Sequence, residues 1–497
     1  MVLGGHMKLI FLLTGISVII AFLLTEWLLN ERLEDKPVLY WLTDPNPARV
    51  EQVELFHQWL KKNNHPDMEL RLDTAEGNAQ KKLIHGVSGV ASDIISVGGA
   101  SDLPFFKQTG LLRDLDSAAA KWGFDSSQTF EGVGPLIVKE NVQYAFPCNV
   151  SSLIYWVNKK TFARYGQDPP PERWDLDTFE KLGKKFVAAA NPPGKRREVF
   201  FANRDKGMME ITIFRRSLGL SIFNETLTAC ILNDRRNVKV YNKFHKWIYE
   251  DHIFPTSADE ASFTTGHGYG GFLFQLFNQG NYGLLSSGRF ALIQLREFEN
   301  MSLDVVELPH GGFRNTIVNA RCAAVYSGTK YPHLAELFLA YLASEEYNMQ
   351  IVKDGDALPP NPRYTLTEAY LRPRKYPNEW GLHEKFSEKT QEISIAMSLS
   401  PFIYQRTVTR LEKLMFEGFL NDFYSAEEAS RLLEEKINTQ IQFSLKSHPE
   451  LRAEYERRIA TQKGIDERRA SDLPVPLSWI ENPFHRRYYD EQGWLQY

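Results

Sequence analysis

Two short stretches place aromatic and polar side chains where a ligand could meet them. Trp41 and Asp44 stand at the end of the apolar run Val38-Leu39-Tyr40-Trp41-Leu42, and Ser101 and Asp102 follow Asp93-Ile94-Ile95-Ser96-Val97 and its Gly98-Gly99. An indole stacks on a flat apolar face, while carboxylates and hydroxyls exchange hydrogen bonds with ligand hydroxyls. Each residue also has a structural alternative. Trp41 can belong to the core of a sheet, Asp44 can begin the turn of the next helix, and Asp102 can cap one.

Other chemistries lack their motifs. The twelve histidines show no H-E-x-x-H and no paired spacing, so no metal site is expected. Cys148, Cys230 and Cys322 lie far apart without a C-x-x-C pair, which excludes a disulfide scaffold and a thiolate zinc site; three buried free thiols are expected. Gly266-His267-Gly268-Tyr269-Gly270-Gly271 lacks the Gly-Lys-Ser/Thr ending of a phosphate loop. There is no Gly-x-Ser-x-Gly elbow, and scattered carboxylates define no glycosidase pair without geometry. A net charge of −4 on 497 residues gives no basic field for nucleic acid.

The elements that would position these residues alternate. Val38–Leu42 reads as a buried strand, with Asn46 as N-cap and Pro47 as first residue of a helix carrying Val50, Val53, Phe56 and Leu60. Met68, Leu70 and Leu72 alternate as a strand, residues 78–89 read as a helix, and Asp93–Val97 as a third strand. This β-α-β-α-β order predicts a parallel sheet, with ligands beyond the carboxyl ends of its strands. Further strands are predicted at Gln143–Phe146, Leu153–Val157, Phe290–Leu295, Asp304–Leu308 and Ala323–Tyr326. Asp175 is predicted to cap a helix through Phe186, Pro332 to open one, and Ser425 to begin one striped by Ala429, Leu433, Ile437 and Ile441. A chain of this length suggests two lobes plus appendages.

At the N-terminus, Lys8 precedes an apolar run from Leu9 to Leu24 that Trp27, Leu28 and Leu29 prolong, and Glu26, Glu31, Glu34 and Asp35 crowd its far side. As a helix it would span about 30 Å, enough for a bilayer, with the remainder exported. An uncleaved transmembrane anchor is expected; a cleaved signal is the alternative, although Leu24-Thr25-Glu26-Trp27 offers poor small-residue positions. A lipoprotein is excluded, because the first cysteine is Cys148.

The order of motifs resembles the family 1 extracellular solute-binding proteins, the maltose-binding-protein-like components of ABC importers. Asp93–Val97 is followed by Gly110-Leu111-Leu112-Arg113-Asp114-Leu115-Asp116. Tyr144-Ala145-Phe146-Pro147 leads to Tyr155-Trp156-Val157-Asn158-Lys159, and Pro170-Pro171-Glu172-Arg173-Trp174-Asp175 follows. Phe277–Leu284, Ser287-Gly288-Arg289-Phe290, Leu308-Pro309 and Ala335–Leu339 complete the series, covering residues 38–440. Each motif alone is weak; their colinear order carries the resemblance. Phe290 departs from a usual Trp, Asn319-Ala320-Arg321 from a Gly-Gly, and the lipobox is missing.

The resemblance implies an α/β, type II periplasmic-binding-protein clamp of two discontinuous lobes, which here would follow the N-terminal transmembrane helix read from the apolar run. Residues 1–36 would form the anchor, 37–148 with 318–355 lobe one, 149–317 with 356–445 lobe two, and 446–497 a C-terminal extension. Strand crossings are implied near Pro147–Ser151 and Thr316–Arg321. Ligand contacts are then expected from Asn149, Ser151, Arg289, Phe290, Asn319 and Arg321 besides Trp41, Asp44, Ser101 and Asp102. The alternatives are hinge hydrogen bonding for Asn149 and Ser151, a core role for Phe290 and a surface charge for Arg289. The implied function is capture of a small solute, a mono- or oligosaccharide, and delivery to ABC permease subunits by a monomer with no cofactor and no catalysis. A membrane-tethered sensor docking on a receptor and an exported glycan-active enzyme are the competing readings. Tyr488-Tyr489, adjacent phenols of the kind that hold iron, fall in the tail and outside the implied cleft.

Overall fold

Two sheets organise the chain. The computed structural model describes residues 36–74, 79–98, 102–204, 208–263, 272–299 and 301–497. The predicted anchor falls on residues that lie, apart from Lys36, outside the described ones. Among the described residues no helix is long and apolar enough to cross a membrane.

Val38–Leu42 pairs in parallel with Glu69–Asp73 and with Ile94–Gly98, as the β-α-β-α-β pattern requires. Helix Ala48–Lys62 starts one residue later than predicted, with Pro47 at the cap position; Asn46 still contributes, its Oδ1 accepting from Ala48 N at 3.0 Å. Ile94–Gly98 then pairs antiparallel with Thr316–Val325. The second sheet runs Leu303–Val306, Ile154–Asn158, Tyr282–Ser287, Phe200–Ala202.

One predicted strand is corrected. Phe290–Leu295 is not a strand: Arg289–Ala291 is a 3-10 turn and Leu292–Leu295 a helical turn, and the strand is Tyr282–Ser287 just before them. Every residue of that strand is buried, so it shows no alternation, and short apolar runs do not distinguish strand from helix.

Two long strands connect the sheets. Ala145–Ser152 leaves the first sheet and continues through Leu153 into Ile154–Asn158 of the second. Thr316–Val325 returns after Leu303–Val306, pairing antiparallel with Ala145–Ser152 and, at Thr316 and Ile317, in parallel with Ser394–Ile395. The pairing shifts register between Arg321 and Cys322, a bulge that bends the ladder. The result is a two-lobed α/β fold joined at crossing strands.

The cores follow this division. Leu39, Trp41, Phe56, Phe338 and Tyr341 form one cluster behind the first sheet, and Phe179, Phe201, Phe214, Trp247 and Phe416 form another in the second lobe. A third cluster runs beneath the crossing from Ile95 and Val318 to Trp156 and Leu285. Asp175 and Ser425 cap their helices as predicted, accepting from Thr178 N and Glu428 N. All three cysteines are free and buried.

Residues beyond 446 fold back on the second lobe as helices Arg452–Ala470 and Pro483–Glu491. Buried Asn482 fastens them, donating to Ser221 Oγ, Phe223 O and Asn224 O and accepting from Ser398 Oγ at 2.6 Å. Phe484 packs on Phe313 and Ile395, beside the crossing.

One half-buried carboxyl is expected to give the fold a pH dependence. Burial raises Asp354 from 3.8 to about 6, helped by Glu51 and Asp356 and opposed by the Gln350 amide, which donates to Oδ1 at 2.8 Å. Between those values the folded chain holds a proton that the unfolded chain has released, so stability falls as pH rises through this window. Asp354→Asn is expected to flatten that fall. Urea melts of both proteins at several pH values check it, and an unchanged difference in slope would refute it.

Candidate functional site

The loop after the first strand delivers Asp44 to the crossing. Asp44 Oδ1 accepts from Arg49 Nε at 2.8 Å and from Arg321 Nη1 at 2.5 Å, and Arg321 also donates to Thr43 Oγ1. Arg49 lies on the first turn of its helix, where its Nη1 reaches Asp356 Oδ2 at 2.5 Å and Gln52 Oε1 at 2.8 Å. Asn46 Nδ2 bonds the other Asp356 oxygen at 3.2 Å. Two carboxylates and two guanidiniums therefore close into one balanced network, which burial demands. Burial opposes ionisation of Asp44, but Arg321 and Arg49 outweigh it and hold its carboxyl below the usual range.

The network retains open valences. Arg321 Nε and Nη2 are themselves buried and have no hydrogen-bond partner, while the side chains of Arg321 and Asp44 as a whole keep 13% and 20% of their surface exposed. Register supplies the neighbours: Asn149 stands opposite Arg321 and Ser151 opposite Asn319 on the antiparallel ladder. Directly opposed residues share a face, so these four side chains, predicted from separate strands, come together. Asn319 is exposed on that face.

Phe290 reaches the same place by a glycine. A Cβ on Gly288 would lie 2.1 Å from Ser151 Oγ and 2.9 Å from the Phe290 ring, so only glycine lets the second-lobe turn close on the crossing strand. Phe290 is half-buried there.

Three predicted residues sit elsewhere. Trp41 takes the core alternative: it is 0% exposed, its ring centroid 4.7 Å from that of Phe338, with the Arg321 guanidinium 5.8 Å from the indole. It backs Arg321 instead of presenting a face. Arg289 is placed among backbone carbonyls and is not a surface charge. It is buried, donating to Ala357 O at 2.6 Å, Val352 O at 3.2 Å and His383 Nδ1 at 3.0 Å. Asp102 opens helix Asp102–Gln108, buried, accepting from Gly98 N at 3.3 Å and lying 3.6 Å from Arg406 of the second lobe. Burial raises its carboxyl, against the pull of Lys82 and Arg406. Phe105 and Tyr404 meet beside it with ring centroids 5.1 Å apart. Ser101 lies outside the described residues.

Sequence reasoning missed Arg49, Asp356, Gly288 and Arg406. Asp356 is far from Asp44 in the chain and joins it only through the fold. For Arg49 a signal existed, since a basic residue in a helix's first turn opposes the dipole unless a carboxylate compensates it.

The geometry offers donors, acceptors and one aromatic face on a floor between two lobes. Burial pushes the Cys148 thiol behind that floor up to about 11, removing a thiolate nucleophile. Among the described residues no cluster of three or more His, Cys, Asp or Glu could hold a metal.

A two-lobed α/β clamp with a polar floor at its crossing strands is the architecture of a solute-binding protein. The model of the bacterial extracellular solute-binding protein family matches residues 48–349, more than half of the chain, and the chain belongs to that family. No curated protein matches the sequence. Among solved structures, an ABC substrate-binding protein from Listeria monocytogenes in complex with cycloalternan superposes with a TM-score of 0.69 at 21% identity, covering 82% of this chain and 99% of that one. A solute-binding protein from Thermotoga lettingae bound with alpha-D-tagatose gives 0.67 at 13% identity, over 82% and 100%. The maltose/maltodextrin-binding domain from Bdellovibrio bacteriovorus bound to maltotriose gives 0.64 at 16%, over 83% and 100%.

Proposed function

We propose that the chain captures a carbohydrate between its lobes and hands it to an ABC importer. The observation that carries this reading is the shared face of the crossing ladder. Asn149, Ser151, Asn319 and Arg321 lie on it, Asp44 bonds to Arg321, and Phe290 closes in from the second lobe. Hydroxyl-rich, flat-faced ligands match that combination, because charged and amide groups bond the hydroxyls while the ring covers a C–H face. Sugars bound to structures of the same fold support the class, and the family's extracellular setting supports export. We further propose lobe boundaries of 37–148 with 318–355 and 149–317 with 356–445, permease subunits as partners of a monomer, and an uncleaved N-terminal anchor. Capture and release involve no bond making.

Calorimetry with cycloalternan, maltotriose and D-tagatose tests the ligand class, paired with small-angle scattering. Saturating ligand is expected to reduce the radius of gyration and raise the melting temperature by linkage. Heat from none of the three, with a normal response to an amino acid or polyamine, would sink the carbohydrate reading. N-terminal sequencing of the mature protein tests the anchor; a processed start between residues 22 and 37 overturns it.

A further inference from the structure

The C-terminal extension builds a second cavity, away from the crossing strands. It measures about 290 Å3 and lies between the second-lobe segment around Gly219 and Glu225 and the tail helices. Nothing in the family match, which ends at residue 349, accounts for the tail that forms it. From this cavity we infer a second binding site, one that takes a neutral saccharide unit; the inference does not depend on the cleft reading above.

Charge sets the first constraint. Arg236 is paired with Asp234 at 2.8 Å and Arg469 with Glu225 at 2.9 Å. Asp466 also lines the cavity, and its bond to the Gln462 amide, at 3.0 Å, is to an uncharged group. The wall therefore holds no unpaired positive charge; with Asp234 behind it counted, the surplus is the Asp466 carboxylate, which disfavours an anion. The exposed Asp466 carboxylate and the remaining N–H groups of Arg469 are an acceptor and donors of the kind that hydroxyls use.

Shape sets the second. Trp494 and Tyr488 meet edge to face, with ring centroids 5.8 Å apart and planes at 86°, so they make a corner of two aromatic walls. Trp494 is 42% exposed, so part of its ring is open to a ligand. Tyr489 is unavailable, since its hydroxyl is spent on Glu225. The Tyr488 ring reaches the wall across Gly219, where a Cβ would come within 2.6 Å of its hydroxyl oxygen and the backbone is left-handed at φ +79°. Aromatic faces beside an open carboxylate and guanidinium match a pyranose better than a purely polar or purely apolar ligand. The cavity has room for a small ligand of that kind.

The test uses the full chain with its cleft weakened by Arg321→Ala, and only transfer that the tail substitutions reduce is assigned to the second cavity. Saturation-transfer NMR is run with D-glucose, D-galactose and maltose at up to about 10 mM, a range that reports millimolar sites, and with choline as the cationic control. Transfer to at least one sugar is expected. Adding Trp494→Ala should weaken it at least tenfold, and so should Asp466→Ala, an exposed substitution that leaves packing intact. No sugar signal in the Arg321→Ala protein, a signal that neither tail substitution changes, or transfer to choline alone would each overturn the inference.

Discussion

Arg321→Ala is expected to weaken sugar binding about a hundredfold while leaving the unliganded fold in place. Its Nε and Nη2 are buried without a hydrogen-bond partner, so a ligand that reaches them satisfies three N–H groups. Charge-assisted bonds contribute about 1.5–3 kcal/mol each, and about 2.7 kcal/mol corresponds to a hundredfold in affinity. Asp44 keeps its bonds to Arg49 when Arg321 is removed, although two carboxylates then share one guanidinium, so a loss of unliganded stability is expected as well and is read separately by denaturant unfolding. Asp44→Asn should have a smaller effect than Asp44→Ala, because it retains an acceptor. The carboxyl of Asp44 is held low, so its contribution is present above the ordinary aspartate value of about 3.9 and is lost only as pH falls through the lower folded value. Binding should therefore be level from about pH 5 upward as far as Asp44 is concerned. Calorimetry on the three variants decides. Undiminished affinity in Arg321→Ala would move the site off the crossing strands.

Arg289→Ala is expected to do the opposite, destabilising the unliganded protein by about 3–5 kcal/mol with little change in intrinsic affinity. The guanidinium fills a buried volume and satisfies two carbonyls, Val352 O and Ala357 O, along with His383. Truncation leaves those acceptors unpaired and opens a cavity, two losses that add. Burial has already pulled the Arg289 guanidinium down to about 10, and its face lies over the Tyr370 ring at 4.7 Å. It therefore ties the turn after Tyr282–Ser287 to the segment around residues 352–383. Denaturant unfolding of the variant and calorimetry on its folded fraction separate the two effects. A stable variant with lost affinity would return Arg289 to the ligand.

The contrast between these two arginines marks how far sequence reading reaches. Both stood in motif positions that invite a ligand, and nothing local distinguishes them. Burial does: one guanidinium ends at the cleft floor with open donors, the other among carbonyls. The same holds for Trp41 and Phe290. Trp41 lies on a strand covered by helix Pro332–Ala343, whose Phe338 occupies its face, and that covering comes from nearly three hundred residues away.

What the sequence by itself determined is whatever short-range physics controls. Apolar period and turn residues placed Val38–Leu42, the helix that follows it and the parallel strands. Side-chain oxygens before a first turn placed the caps at Asp175 and Ser425. The colinear motifs named the family. What only the tertiary structure decided is long-range pairing: that Asn149 faces Arg321 and Ser151 faces Asn319, and that Asp356 completes the network of Arg49 and Asp44. It also decided that a tail without a readable counterpart closes a cavity on the second lobe. The reason is that a contact between distant segments depends on register, and a one-residue slip turns every side chain of a strand to the other face.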